Sequence, residues 1–259
     1  MSIFRQGKPI LKRTPLIAGN WKMNTSLEEA TDLATAVAAA APADIELVVC
    51  PPFPWLLTVA TAIAGSRVKL GAQNCWIEPK GAFTGEISPA MLRPTCTFVI
   101  AGHSERRALF TEDDDLVGRK VKAIMEQGMT PILCVGESLA QREAGQAHQI
   151  VTRQLSAGVA RIEATDFAHL VVAYEPVWAI GTGIAASPAD AAEMMTAIRE
   201  TLHTVDPVEA DQVRLIYGGS VTTESAPTLL GQENIDGALV GGASLSAVDF
   251  LAIAQAARR

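Results

Sequence analysis

Val171-Val172-Ala173-Tyr174-Glu175-Pro176-Val177-Trp178-Ala179-Ile180-Gly181-Thr182-Gly183, with Ser187-Pro188-Ala189-Asp190 just beyond it, reads in order as a strand, a loop and a helix start. The first four residues are short, β-branched and aromatic, as a buried strand requires. Pro176 cannot continue a strand ladder, so Glu175 falls at the strand exit. Ser187 followed by Pro188 supplies an N-cap and a first helical residue. The intervening loop is too apolar to idle in water. Gly181 and Gly183 can absorb the rotations of a lid closing over Glu175, although a solvated strand-end acid beside a buried turn fits this segment equally well.

The same unit recurs along the chain. Apolar or β-branched runs stand at Leu16 to Gly19, Ile45 to Cys50, Val68 to Gly71, Phe98 to Ala101, Pro131 to Val135, Leu170 to Tyr174, Val213 to Tyr217 and Ile235 to Val240, with room for a helix after each. Such alternation predicts an all-parallel sheet. Ser26-Leu27-Glu28-Glu29 reads as a capping box, and Leu27, Ala30, Leu33, Ala34 and Val37 then form one apolar face at helical spacing. Eight units fit a closed (β/α)8 barrel of one domain, while spacing alone leaves an open doubly wound sheet possible.

Composition narrows the function classes. Hydrophobic residues make up 49% of the 259-residue chain, enough for a large core. No apolar run approaches the roughly 20 residues of a membrane span. The net charge of -7 argues against nucleic-acid and anionic-membrane surfaces, so an anionic ligand must be captured by local groups. Cys50, Cys75, Cys96 and Cys134 form no Cys-x-x-Cys pair and the histidines no His-x-x-x-His pair, so neither a zinc site nor a disulfide framework is indicated. Apolar cysteines of this kind suit a reducing, cytoplasmic setting. Residues 1–15 are basic but lack a signal-peptide core, and read as a poorly ordered extension before a domain spanning 16–259.

In a barrel of this kind the strand exits carry the site. The first exit is Asn20-Trp21-Lys22-Met23-Asn24, where Lys22 can hold an anion or simply lie on the surface. The fourth is Gly102-His103-Ser104-Glu105-Arg106-Arg107. There the positive end of the following helix disfavours an imidazolium, so His103 would act as a neutral hydrogen-bond donor. The seventh and eighth, Tyr217-Gly218-Gly219-Ser220 and Val240-Gly241-Gly242-Ala243-Ser244, present bare backbone N–H groups suited to a phosphate. Glu112-Asp113-Asp114-Asp115 precedes Leu116, Val117 and Val121 at helical spacing, and reads as an acidic helix start in preference to a metal cluster.

These motifs, standing in this order from Leu16 to the C-terminus, closely resemble the triosephosphate isomerase family, whose fold is the TIM barrel. The resemblance implies interconversion of dihydroxyacetone phosphate and D-glyceraldehyde 3-phosphate through an enediolate, a step of glycolysis and gluconeogenesis. Glu175 would move the proton, His103 would be the electrophile, and Lys22 with Asn20 would bind substrate; the pairing of a carboxylate base with a neutral histidine is the worked case for this family. Gly181, Ser220, Gly241 and Gly242 resemble its phosphate-gripping positions, and no cofactor or metal is implied. Glu105 matches a position that supports the lysine, and Ser104 one that holds the base in an open state. Gln73 to Glu86 resembles a loop that inserts into a neighbouring subunit, which implies a homodimer through residues 75–86, with Thr84 near the neighbouring copy's first strand exit. A Schiff-base aldolase using Lys22, or a sugar-phosphate-binding barrel without turnover, are the alternatives. Ser225, where the family commonly has asparagine, and the long extension have no functional account at this level.

Overall fold

The computed structural model describes residues 13–180 and 186–258. Gly181 and Gly183, expected to grip phosphate or hinge a lid, and residues 1–12 of the extension lie outside the described residues.

The elements run β1 (Leu16–Asn20), α1 (Leu27–Ala39), β2 (Glu46–Cys50), α2 (Leu56–Ala62), β3 (Lys69–Ala72), α3 (Pro89–Leu92), β4 (Phe98–Ala101), α4 (Ser104–Leu109), α5 (Asp114–Glu126) and β5 (Thr130–Val135). They continue with α6 (Leu139–Glu143), α7 (Ala147–Val159), β6 (Val171–Tyr174), α8 (Pro188–His203), β7 (Arg214–Tyr217), α9 (Ala226–Leu230), β8 (Gly237–Val240) and α10 (Ala247–Ala256). The strands pair in parallel and in chain order, and β8 closes on β1 from Leu16↔Gly237 to Gly19↔Val240. The open-sheet alternative is thereby removed, and the fold is a single-domain TIM barrel.

Two-residue strand periodicity divides the side chains between two cores. Leu16, Ala18, Val48, Cys50, Phe98, Ile100, Ile132, Cys134, Val171, Ala173, Ile216 and Leu239 form a cluster filling the barrel. Ile17, Leu47, Val49, Val99, Leu133, Val172 and Leu215 belong instead to the layer packed against the helices. Asn20 and Glu175 continue the inner rows of β1 and β6, two residues past Ala18 and Ala173. Parity alone therefore aims both side chains at the axis of the C-terminal mouth.

Local signals settle the helix starts. Ser26 Oγ accepts from Glu29 N at 3.2 Å while Ser26 N donates to Glu29 Oε2 at 2.7 Å, a complete capping box. The same reciprocal pair joins Ser187 and Asp190 at the start of α8. Of the predicted apolar face of α1, Ala30, Leu33, Ala34 and Val37 are buried, but Leu27 is 49% exposed because it lies in the first turn, beyond the sheet. Asp113 caps α5 by accepting from Leu116 N, as an acidic helix start should. Glu112 departs from that reading: it is buried and bound to Lys120 and Arg106. The runs that began at Leu170, Val213 and Ile235 start pairing one or two residues later, although all three residues are buried. Burial, not ladder pairing, made them look like strand. No helix among the described residues is long and apolar enough to cross a membrane.

Candidate active site

Glu175 leaves β6 with its backbone N donating to Val135 O at 2.8 Å. Its side chain is 2% exposed. Oε2 accepts from the backbone N of Ser104 at 2.8 Å, whereas Oε1 makes no hydrogen bond among the described residues and lies 3.1 Å from His103 Nε2. The Ser104 contact is made by the peptide, not the hydroxyl, so any residue but proline could supply it. His103 is the N-cap of α4, and its Nδ1 accepts from Glu105 N at 3.2 Å. A ring nitrogen that accepts carries no proton, so the imidazole proton sits on Nε2 and points into the cavity. The neutral donor expected at a helix start is thus built by a local backbone bond.

At the first exit, Asn20 is buried and its Oδ1 accepts from Lys22 N at 3.0 Å. Lys22 takes φ 53°, a left-handed conformation that costs a residue bearing a Cβ on the order of 1 kcal/mol. Gln73 secures the other side of this strained residue, its Nε2 donating to Lys22 O at 2.8 Å and to Cys50 O at 2.9 Å. The ammonium, partly exposed, pairs with Glu105 Oε1 at 2.5 Å. Glu105, which the resemblance matched to a position supporting the lysine, tethers Lys22 to the exit that carries His103.

Exits seven and eight complete a cavity of about 330 Å3 whose walls include Asn20, Lys22, His103, Glu175, Gly218 to Thr222, and Gly241 to Ala243. Gly218 must lack a side chain, since a Cβ there would stand 2.8 Å from Glu175 Cγ. A Cβ on Gly242 would meet nothing within 4 Å, and one on Gly241 would lie 3.6 Å from Lys22 Cε, so both glycines face open space beside the ammonium. Ser220 Oγ donates to Ala179 O at 2.9 Å, bridging the seventh exit to the loop after Glu175. All the predicted site residues but Gly181, which is outside the described residues, therefore line one mouth of the barrel.

A family model described as Triosephosphate isomerase matches residues 15–257. The chain belongs to the triosephosphate isomerase family. The Triosephosphate isomerase of Roseiflexus sp. (strain RS-1) is 51% identical over 245 residues, covering 93% of this chain and 96% of its own. That of Chloroflexus aurantiacus is 52% identical, covering 93% and 98%, and that of Hahella chejuensis 48%, covering 95% and 99%. Membership of the triosephosphate isomerase family carries isomerisation of triose phosphates as the activity of this chain.

Against this triosephosphate isomerase framework, several supporting residues had no sequence signal. Glu137 is buried, and its Oε1 accepts from Trp178 Nε1 at 2.9 Å, Tyr174 Oη at 3.1 Å and Arg142 Nη1 at 3.2 Å. Burial, then the Glu137 carboxylate, pushes the Tyr174 hydroxyl far up, so it stays a donor. Arg142 also stacks on Trp178 and pairs with Asp190 at 2.8 Å. The root of the loop is thereby tied to α6 and α8. Arg107 donates to Gly102 O at 2.9 Å and Cys134 O at 3.2 Å, joining the exits of β4 and β5. Cys134 lies beside Glu175, but burial first and the carboxylate second push its thiol well up, which leaves no thiolate nucleophile. Ser225 gains a structural account: its Oγ accepts from Thr222 N at 3.0 Å and its N donates to Thr222 Oγ1 at 3.2 Å, closing the turn before α9.

Proposed function

We propose that Glu175 is the base of this isomerisation, removing a proton from the carbon beside the substrate carbonyl and returning it to the neighbouring carbon. As the C–H bond breaks, its electron pair moves toward the carbonyl oxygen and an enediolate forms. His103 Nε2–H donates to the oxygens where that charge develops, and the Lys22 ammonium, with Asn20, binds the anionic substrate. The backbones of Ser220, Gly241 and Gly242, with Gly181, hold the phosphate. The observation that carries this reading is a buried carboxylate whose Oε1 has no hydrogen-bond partner among the described residues and stands 3.1 Å from a histidine nitrogen whose proton is fixed by local geometry. A base needs a lone pair that the protein itself does not consume.

No cofactor or metal enters these steps. The Schiff-base alternative is disfavoured because Lys22 Nζ is already engaged by the Glu105 carboxylate at 2.5 Å. Borohydride added with substrate should leave Lys22 unmodified. The deciding experiment is a coupled assay with D-glyceraldehyde 3-phosphate, in chelator, on wild type and Glu175→Gln. The variant should lose ~10²- to 10⁴-fold in turnover, the range for a general base. Equal rates would sink the assignment.

We propose further that the working form is a homodimer in the cytoplasm. Residues 79–86 are exposed, and Phe83 stacks on Trp76 at 5.7 Å with 40% of its surface exposed. Beside the active site lies a second hollow of about 350 Å3, lined in part by Asn20, Lys22, Met23, Phe53, Leu109 and Phe110. Met23, Leu109 and Phe110 are 96%, 74% and 60% exposed, an apolar patch that a second copy's loop 75–86 would cover. Loop and hollow on one chain are the two halves of a two-fold contact. Four free, buried cysteines support the reducing compartment, and Leu16 marks the start of the domain.

A further inference from the structure

We infer that Gln154 is a positioning residue for Glu175, acting through the peptide of Gly136. The inference rests on the reading of Glu175 as the base.

Three successive residues leaving β5 form the floor under the base. Val135 O accepts from Glu175 N at 2.8 Å, and Glu137 O accepts from Val177 N at 3.1 Å. Between them, Gly136 meets the base's own peptide face to face: a Cβ at Gly136 would lie 1.7 Å from Glu175 O and 3.2 Å from its Cα. Any shift or rotation of the Gly136 peptide must therefore move the Glu175 backbone, and with it the carboxylate.

Gly136 lies past the last ladder pair of β5, so its polar groups need partners from elsewhere. Gln154 supplies both. Its Oε1 accepts from Gly136 N at 2.7 Å and its Nε2 donates to Gly136 O at 3.1 Å, so one buried amide holds both the N–H and the C=O of that residue. Rotating the amide by half a turn would set donor against donor, which fixes its orientation. The helix that carries it cannot drift: Gly158, one turn later on α7, packs so closely on β5 that a Cβ would stand 2.5 Å from Leu133 Cδ2. Gly118 likewise admits Ala157 O of α7 to within 2.5 Å of where a Cβ would be. Seated helix, rigid amide and Gly136 peptide form one chain of contacts that ends at the base.

Gln154→Met keeps the volume and loses both hydrogen bonds. Its kcat should fall ~10-fold with KM for D-glyceraldehyde 3-phosphate within about two-fold, because small misplacement of a reacting group costs rate more than affinity. In Gln154→Glu the protonated carboxyl can both donate and accept, whereas the carboxylate only accepts. Its kcat relative to wild type should therefore climb as pH falls. In a Glu175→Gln background Gln154→Met should cost nothing further, since nothing remains to position. A folded Gln154→Met with kcat within two-fold of wild type, a flat pH ratio for Gln154→Glu, or an undiminished loss in the Glu175→Gln background would each overturn the clamp. Wild-type turnover in Glu175→Gln alone overturns the base itself, and the clamp with it. An impaired Glu175→Gln beside an unimpaired Gln154→Met overturns the clamp alone.

Discussion

At the N-terminal end of the barrel, Asp236 Oδ2 accepts from Arg13 Nε at 2.8 Å, Leu215 N at 3.0 Å and Arg199 Nη2 at 3.3 Å, and Arg199 also donates to Val213 O at 2.7 Å. At the C-terminal end, Glu175 is as deeply buried, yet among the described residues one of its oxygens accepts from the Ser104 backbone and the other has no hydrogen-bond partner. Burial first and the neighbouring Arg13 second bring Arg199 down to about 10, still charged at neutral pH. The first carboxylate is neutralised by cations that lock β7, β8 and α8 together. The second pairs with no Lys or Arg among the described residues and faces a histidine donor. A buried charge paired with cations stabilises a fold, whereas one that meets only a backbone N–H and a histidine keeps a capacity to react.

The contrast can be broken by matched substitutions. Glu175→Gln should show the largest effect, the ~10²- to 10⁴-fold loss in turnover already stated, with its thermal midpoint close to wild type. Asp236→Asn should do the reverse: unfolding free energy drops by about 3 kcal/mol, as for breaking a buried ion pair, while kcat per folded molecule holds. Denaturant titration beside the coupled assay separates the two, and a loss of kcat without loss of stability in Asp236→Asn would erase the distinction.

Thr84→Arg tests whether the C-terminal end is complete within one chain. Charge on that exposed loop should weaken association and lower activity in parallel when read by sedimentation and assay at the same concentrations. An active monomer would refute the shared site. The smallest effect is expected from Asp190, whose carboxyl is held below its ordinary value of 3.8 chiefly by Ser187 and also by Arg142. Because the folded value is the lower one, this stabilisation is present above about 3.8 and lost as pH falls through the depressed value. Asp190→Asn should therefore lower the thermal midpoint slightly near neutrality and shallow the acid limb, the two curves converging at low pH. A limb identical to wild type would remove the linkage.

Much of the site was legible because barrel geometry converts strand exits into neighbours. Lys22, His103, Glu175 and the paired glycines sit at four kinds of exit, and inner-row parity adds the aim of Asn20 and Glu175. Their supports were not legible. Glu137, Arg107 and Gln154 look like ordinary polar residues of a loop and two helices, and each matters only for the carbonyl, amide or indole it meets across the fold. Glu112 was misplaced for the same reason: Asp113 still caps α5, but Lys120, 8 residues on, draws the first member of the acidic run inside.

The sequence by itself determined the features that depend on residues three or four apart or on alternation: the succession of strands, the Ser26 and Ser187 capping boxes, the acidic start of α5 and the candidate groups at each exit. Tertiary structure decided closure of β8 on β1, the tether of Lys22 to Glu105 across 83 positions, and the unfilled oxygen of Glu175 beside His103. The physical reason is range. Capping and periodicity are satisfied within a single turn or strand, whereas the partner of a buried polar group is chosen by whichever backbone the packed core delivers to it.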